Sequence, residues 1–140
     1  MSRYVHLLSV KMRKWPPLIL TCICTVAILY LTLVPKPLPD NDLQLIPGMD
    51  KIVHGIMFGG FVLCLFIDYA RRHDYSIPSF QHAFLYVCTG ILFGGMIEIA
   101  QLYMNLGRGG DFYDFIADSV GAILFAFLSI PLIKFFKRAN

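Results

Sequence analysis

Apolar residues in this chain fall into four long runs separated by short polar or proline-rich stretches, and each run is long enough for a helix rather than a strand. A bilayer core of about 30 Å needs about 20 mostly apolar residues per helix. The runs at residues 16–34, 50–69, 79–104 and 111–136 meet that length and predict four transmembrane helices. The first opens on Pro16 and Pro17, which a first helical turn tolerates because its amides lack partners, and it stops before Pro35, Pro37 and Pro39. It follows Lys11, Arg13 and Lys14 as a signal peptide would, yet it is too long for one and no small-residue cleavage site follows, so it reads as a retained helix.

Composition agrees with that pattern. With 57% hydrophobic and 15% charged residues, a 140-residue chain carries more apolar surface than a soluble domain of this size buries. The expected fold class is therefore an all-α integral membrane protein: a four-transmembrane-helix bundle over residues 16–136, a basic N-terminus at 1–15 and a basic tail at 137–140. The net charge of +3 is small and its basic residues form short flanking groups, which argues against nucleic acid as a partner. Membrane lipids are the expected surroundings, and oligomeric state is not readable. Cys22, Cys24, Cys64 and Cys88 all lie inside apolar runs and read as small hydrophobes with no disulfide framework. Cys22 and Cys24, two residues apart on a helix, point in different directions and make no metal pair.

Orientation follows from lysine and arginine, because short loops rich in them stay cytoplasmic. Arg3, Lys11, Arg13 and Lys14 precede the first helix, Arg71 and Arg72 join the second to the third, and Lys134, Lys137 and Arg138 close the chain. Lys36, Lys51 and Arg108 remain for the other side, so both termini are expected in the cytoplasm of a bacterial plasma membrane. Trp15 and Tyr69 then fall at the inner interface, with Tyr103 and Tyr113 at the outer one. Gly55 with Gly59, and Gly90 with Gly94, give small faces expected to bring the second and third helices together. His6, His73, His82 and Asp68 lie toward the inner ends, where they are expected to face water or headgroups.

The candidate chemistry collects at the outer end. Charged groups within spanning helices are costly in lipid and normally face a protein interior or a water-filled cavity. The second helix opens with Asp50, Lys51 and His54; the third closes with Glu98, Gln101 and Asn105 at helical spacing; the fourth opens with Asp111, Asp114 and Asp118 at the same spacing. Three polar stripes thus predict a pocket opening outward. Glu98, His54 and Asp114 are the candidate catalytic residues, since burial penalises a charged carboxylate and suits it to acid–base work. Asp50, Lys51, Gln101, Arg108, Asp111 and Asp118 are the candidate substrate-binding residues. Arg108 stands in a glycine-rich loop and has two readings: with the amides opening the fourth helix it binds an anion, or it neutralises nearby carboxylates while Asp111 caps the helix. No resident cofactor is expected; a divalent cation on His54, Glu98 and Asp114 is the weaker alternative, because one histidine near carboxylates is more often a hydrogen-bond partner than a ligand.

The ordered set Asp50-Lys51-x-x-His54-x-x-x-Phe58, Glu98-x-x-Gln101, Arg108-x-x-Asp111-x-x-Asp114 and Asp118-x-x-Gly121 resembles the VanZ-like family, with a Thr32-Leu33-Val34-Pro35 exit from the first helix. The resemblance runs from about Leu31 to about Phe127. It implies a link to glycopeptide-antibiotic resistance, through an accessory protein of reduced teicoplanin sensitivity, but no defined reaction. Asp118 departs from the asparagine that many members carry there.

Four functions remain in view. One is an enzyme that modifies or hydrolyses an anionic envelope lipid or wall precursor in the outer leaflet. Another is a binder of a lipid headgroup or glycopeptide without chemistry. A proton-linked transporter needs polar residues at both ends and finds only Asp68 and the inner loop. A structural membrane protein would use the cluster only to lock its helices. No zinc, phosphatase or nucleophile signature decides among them.

Overall fold

The computed structural model describes residues 7, 10, 12, 14–34, 48–104 and 111–139. Their four helices are α1 (Ile19–Leu33), α2 (Met49–Arg72), α3 (Phe80–Met104) and α4 (Phe112–Ala139), with no strand among the described residues. The helices α2, α3 and α4 are long and apolar enough to cross a membrane.

The first helix is shorter than its apolar run. Pro17 disfavours helical geometry at Pro16, and Leu18 adopts a left-handed conformation (φ 57°, ψ 17°), so the two prolines precede the helix instead of forming its first turn. At about 1.5 Å per residue, its 15 residues rise about 22 Å, below the depth of a bilayer core. Three helices of spanning length therefore stand where four were expected. Within α1 the threonine hydroxyls are satisfied along the helix, Thr25 Oγ1 donating to the Thr21 carbonyl at 2.8 Å and Thr32 Oγ1 to that of Ile28 at 2.7 Å.

Phe58, Phe61, Val62, Leu65 and Phe66 make α2 the centre of the bundle, buried with Ile28 of α1, Ile97 of α3, and Ala122 and Ile133 of α4. In lipid, such contacts hold through close packing more than through the hydrophobic effect. The tightest approach joins α2 to α4. A Cβ added to Gly121 would overlap the Gly55 carbonyl, and one added to Gly59 would overlap Phe125. Gly55 and Gly59 therefore serve the α2–α4 contact and not the expected contact with α3. Of the second pair, Gly90 faces Val62 of α2 and Ala122 of α4, while Gly94 faces Asp118 of α4.

The end of α2 holds the largest departure from expectation. The helix continues past residue 69 to Arg72, and both Asp68 and Arg71 are buried rather than facing water or headgroups. Arg71 Nε donates to Asp68 Oδ1 at 2.7 Å, its Nη1 to the carbonyls of Met12 (2.8 Å) and Trp15 (3.0 Å), and its Nη2 to that of Pro16. Asp68 Oδ2 accepts the Thr21 amide at 2.9 Å and the Thr21 hydroxyl at 2.8 Å. One ion pair thus takes up the carbonyls of Met12, Trp15 and Pro16 before α1 and a free amide in its first turn, which the helix cannot satisfy itself. Beyond it the chain turns through Asp74 and Tyr75 at positive φ (50° and 52°), and the buried Tyr75 ring stacks on Phe136 of α4.

Candidate functional site

The polar cluster forms where α2 begins, α3 ends and α4 begins. Its depth comes from backbone contact: because Gly55 meets Gly121, the residues beside them, His54 and Asp118, are brought face to face. His54 Nδ1 lies 3.1 Å from Asp118 Oδ1 and 3.5 Å from Glu98 Oε1. The side chain of Asp118 is fully buried and that of Glu98 is 9% exposed. Room for Asp118 is made by Gly94, since a Cβ there would stand 2.8 Å from Asp118 Oδ2. Below the histidine, Phe58 stacks on its ring at a centroid distance of 6.3 Å and closes the floor with Phe93.

A second group lies nearer the helix ends. Lys51 Nζ donates to Asp50 Oδ2 (3.1 Å), Asp111 Oδ2 (3.2 Å) and Asp114 Oδ1 (3.1 Å). Asp111 also caps α4, its Oδ1 accepting the Tyr113 amide at 2.9 Å, while its own amide donates to Glu98 Oε2 at 2.9 Å. The Tyr113 amide first, and then Lys51, hold the Asp111 carboxyl below the usual carboxylate range. Glu98 thereby links the two groups, with one oxygen on the cap of α4 and the other turned to His54.

Most of the residues picked out from the sequence meet here. Asp50, Lys51, Asp111 and Asp114 form the outer group, and His54, Glu98 and Asp118 the inner one. Gln101 turns elsewhere: its amide donates to the Thr32 carbonyl at 3.1 Å, tying the end of α3 to the end of α1. Arg108, with Asn105 and the glycine-rich loop, lies outside the described residues. The expected trio of His54, Glu98 and Asp114 is rearranged, since Asp114 pairs with Lys51 and Asp118 takes its place beside the histidine. The polar residues that went unassigned, Asp68, Arg71 and Thr21, form the opposite ion-paired centre; the i, i+3 spacing of Asp68 and Arg71 on one helix face was its available signal.

Chemically, the inner group sets an imidazole between two buried carboxylates, a combination that can move a proton or hold a metal ion. The donor atoms of His54, Glu98 and Asp118 lie within 4.8 Å of one another. Glu98 Oε1 and Asp118 Oδ2 are, among the described residues, the buried side-chain atoms without a hydrogen-bond partner. An apolar cleft of about 350 Å³ lined by Phe66, Ile77, Phe84, Val87, Ile123 and Phe127 lies away from this chemistry, toward the α2–α3 connection.

A family model described as VanZ/LLP1 fits residues 21–135, a stretch that contains both polar groups and all four helices except the first two residues of α1 and the last turn of α4. No curated protein and no solved structure matches the chain.

Proposed function

The chain belongs to the VanZ/LLP1 family, and on that premise we propose that it is an envelope protein of a bacterial plasma membrane that modifies or hydrolyses an anionic lipid or lipid-linked wall precursor in the outer leaflet. The basic residues support an arrangement with α1 and its flanks as a fourth crossing, both termini in the cytoplasm and the polar cluster outside.

The observation that carries this reading is His54 held between the buried carboxylates of Asp118 and Glu98. Ionisable groups at such depth are costly, and a bundle that needed only packing would use apolar side chains there. Glu98 accepts the proton of a water or lipid hydroxyl as its oxygen bonds to the substrate's phosphorus or acyl carbon, and His54, held at Nδ1 by Asp118, donates a proton to the alcohol that leaves as the scissile bond breaks. Lys51 is already engaged by three carboxylates, which leaves Arg108 of the glycine-rich loop to receive the anionic group. Asp114 positions Lys51, and Asp50 and Asp111 complete the mouth. A changed wall precursor is a chemical route from such an activity to altered glycopeptide sensitivity.

The test compares envelope lipids and wall precursors in cells expressing the wild type or Glu98→Gln, at equal level and with both proteins folded. A species that accumulates only with Glu98→Gln supports the reaction. Identical profiles, with no turnover by purified wild type in lipid nanodiscs, would leave the cluster with a binding or packing role.

A further inference from the structure

The described part of this site is too acidic for an anionic substrate. Asp50, Asp111, Asp114, Glu98 and Asp118 converge there, and only Lys51 and His54 stand against them. The outer three share Lys51. The inner two share one imidazole, so even with that imidazole protonated one negative charge is left at this depth for a proton or a cation to neutralise. Two of their oxygens, Glu98 Oε1 and Asp118 Oδ2, have no hydrogen-bond partner, on side chains that are 9% and 0% exposed, and the first is turned toward His54 Nδ1. Buried polar groups in native proteins are rarely left so.

We propose that His54, Glu98 and Asp118 bind a divalent cation of the zinc or manganese class, and that this ion stands at the reacting bond of the substrate. Four donors about 2.1 Å from a tetrahedral ion stand about 3.4 Å apart. His54 Nδ1 is already 3.1 Å from Asp118 Oδ1 and 3.5 Å from Glu98 Oε1, so the three donors surround such an ion after small shifts. Two carboxylates and a neutral imidazole balance a charge of two. Three protein donors leave a position open for a phosphate oxygen or water, as in catalytic rather than structural sites. Glu98 is oriented from behind by the Asp111 amide on its other oxygen, the outer support that metal-binding carboxylates characteristically have. The imidazole donor disfavours magnesium and calcium, which take oxygen ligands, and no cysteine belongs to the group.

This inference rests on the proposed function for the substrate alone: with the ion in place Glu98 and His54 serve as its ligands and the ion, in place of free Glu98, activates the attacking water, while the binding of the ion stands by itself. The test titrates the full chain in nanodiscs with Zn²⁺ and Mn²⁺, by calorimetry, and repeats the titration with Asp118→Asn and His54→Gln. The expected result is one ion per chain, with affinity reduced about 100-fold in either variant. Should a variant fail to fold, the wild type still decides: its melting temperature rises with added ion and falls back on chelation. No stoichiometric binding and no melting shift overturn the proposal, as does binding unchanged by Asp118→Asn, which would place the ion on exposed carboxylates such as Asp50. Ion binding without turnover sustains the metal site and removes the catalytic reading. Turnover indifferent to chelation does the reverse.

Discussion

Arg71 and Asp68 form a buried ion pair at 2.7 Å, one helical turn apart, whose remaining polar atoms all reach back to the start of α1. Removing one charge leaves the other buried without its counter-charge. Asp68→Asn is expected to cost about 3–5 kcal/mol in unfolding measured in mixed micelles. Arg72→Gln, at an exposed position next door, should stay within about 0.5 kcal/mol of wild type. Equal effects of the two substitutions would show that the pair does not hold α1 in place.

The backbone contact between α2 and α4 makes a second prediction. Gly121→Val introduces a branched side chain against the Gly55 carbonyl and should destabilise by about 1–3 kcal/mol or more, separating His54 from Asp118 as the helices part. Gly60→Ala adds a Cβ with nothing within 4 Å and should stabilise α2 by about 0.5–1 kcal/mol. A well-tolerated Gly121→Val would contradict the crossing described here.

Acid should weaken the start of α4. The folded-state value of Asp111 is depressed, so its contribution to stability is fully present above the unfolded carboxylate value of about 3.9 and is lost as pH falls through the folded one. Wild type should therefore exceed Asp111→Ala in stability at neutral pH, and the gap should close in acid below about pH 4. A gap independent of pH would mean that the cap works without its charge.

Topology is open to direct labelling. In a chain freed of Cys22, Cys24, Cys64 and Cys88, a membrane-impermeant maleimide should reach Arg108→Cys in intact cells and Arg138→Cys only after permeabilisation. Labelling of both from outside would reverse the proposed placing of the C-terminus.

The three long helices were legible because unbroken apolar runs of this length have little alternative. The polar cluster where α2 and α4 begin was legible too, since spacings of three and four on helix ends fix which residues can meet. Which partners they choose was not. Asp114 and Asp118 share a stripe on α4, and only the Gly55–Gly121 crossing decides that Asp118 reaches His54 while Asp114 reaches Lys51. The shortening of α1 depends on the backbone at Leu18, and the burial of Asp68 and Arg71 depends on what packs over them. The second is not a property of local sequence: Arg71 beside Arg72 looks like a pair of loop charges until the segment before α1 supplies the carbonyls it binds.

The short α1 is fastened at both ends by side chains from two different helices, Asp68 of α2 at Thr21 and Gln101 of α3 at Thr32. These two ties oppose tilting or sliding of α1 against α2 and α3. As the proposed fourth crossing, α1 would stand about 8 Å short of the hydrocarbon depth, a mismatch that thins the adjacent leaflet or draws headgroups inward. The membrane around this bundle is then uneven, with its thinnest sector on the side where α1 is bound.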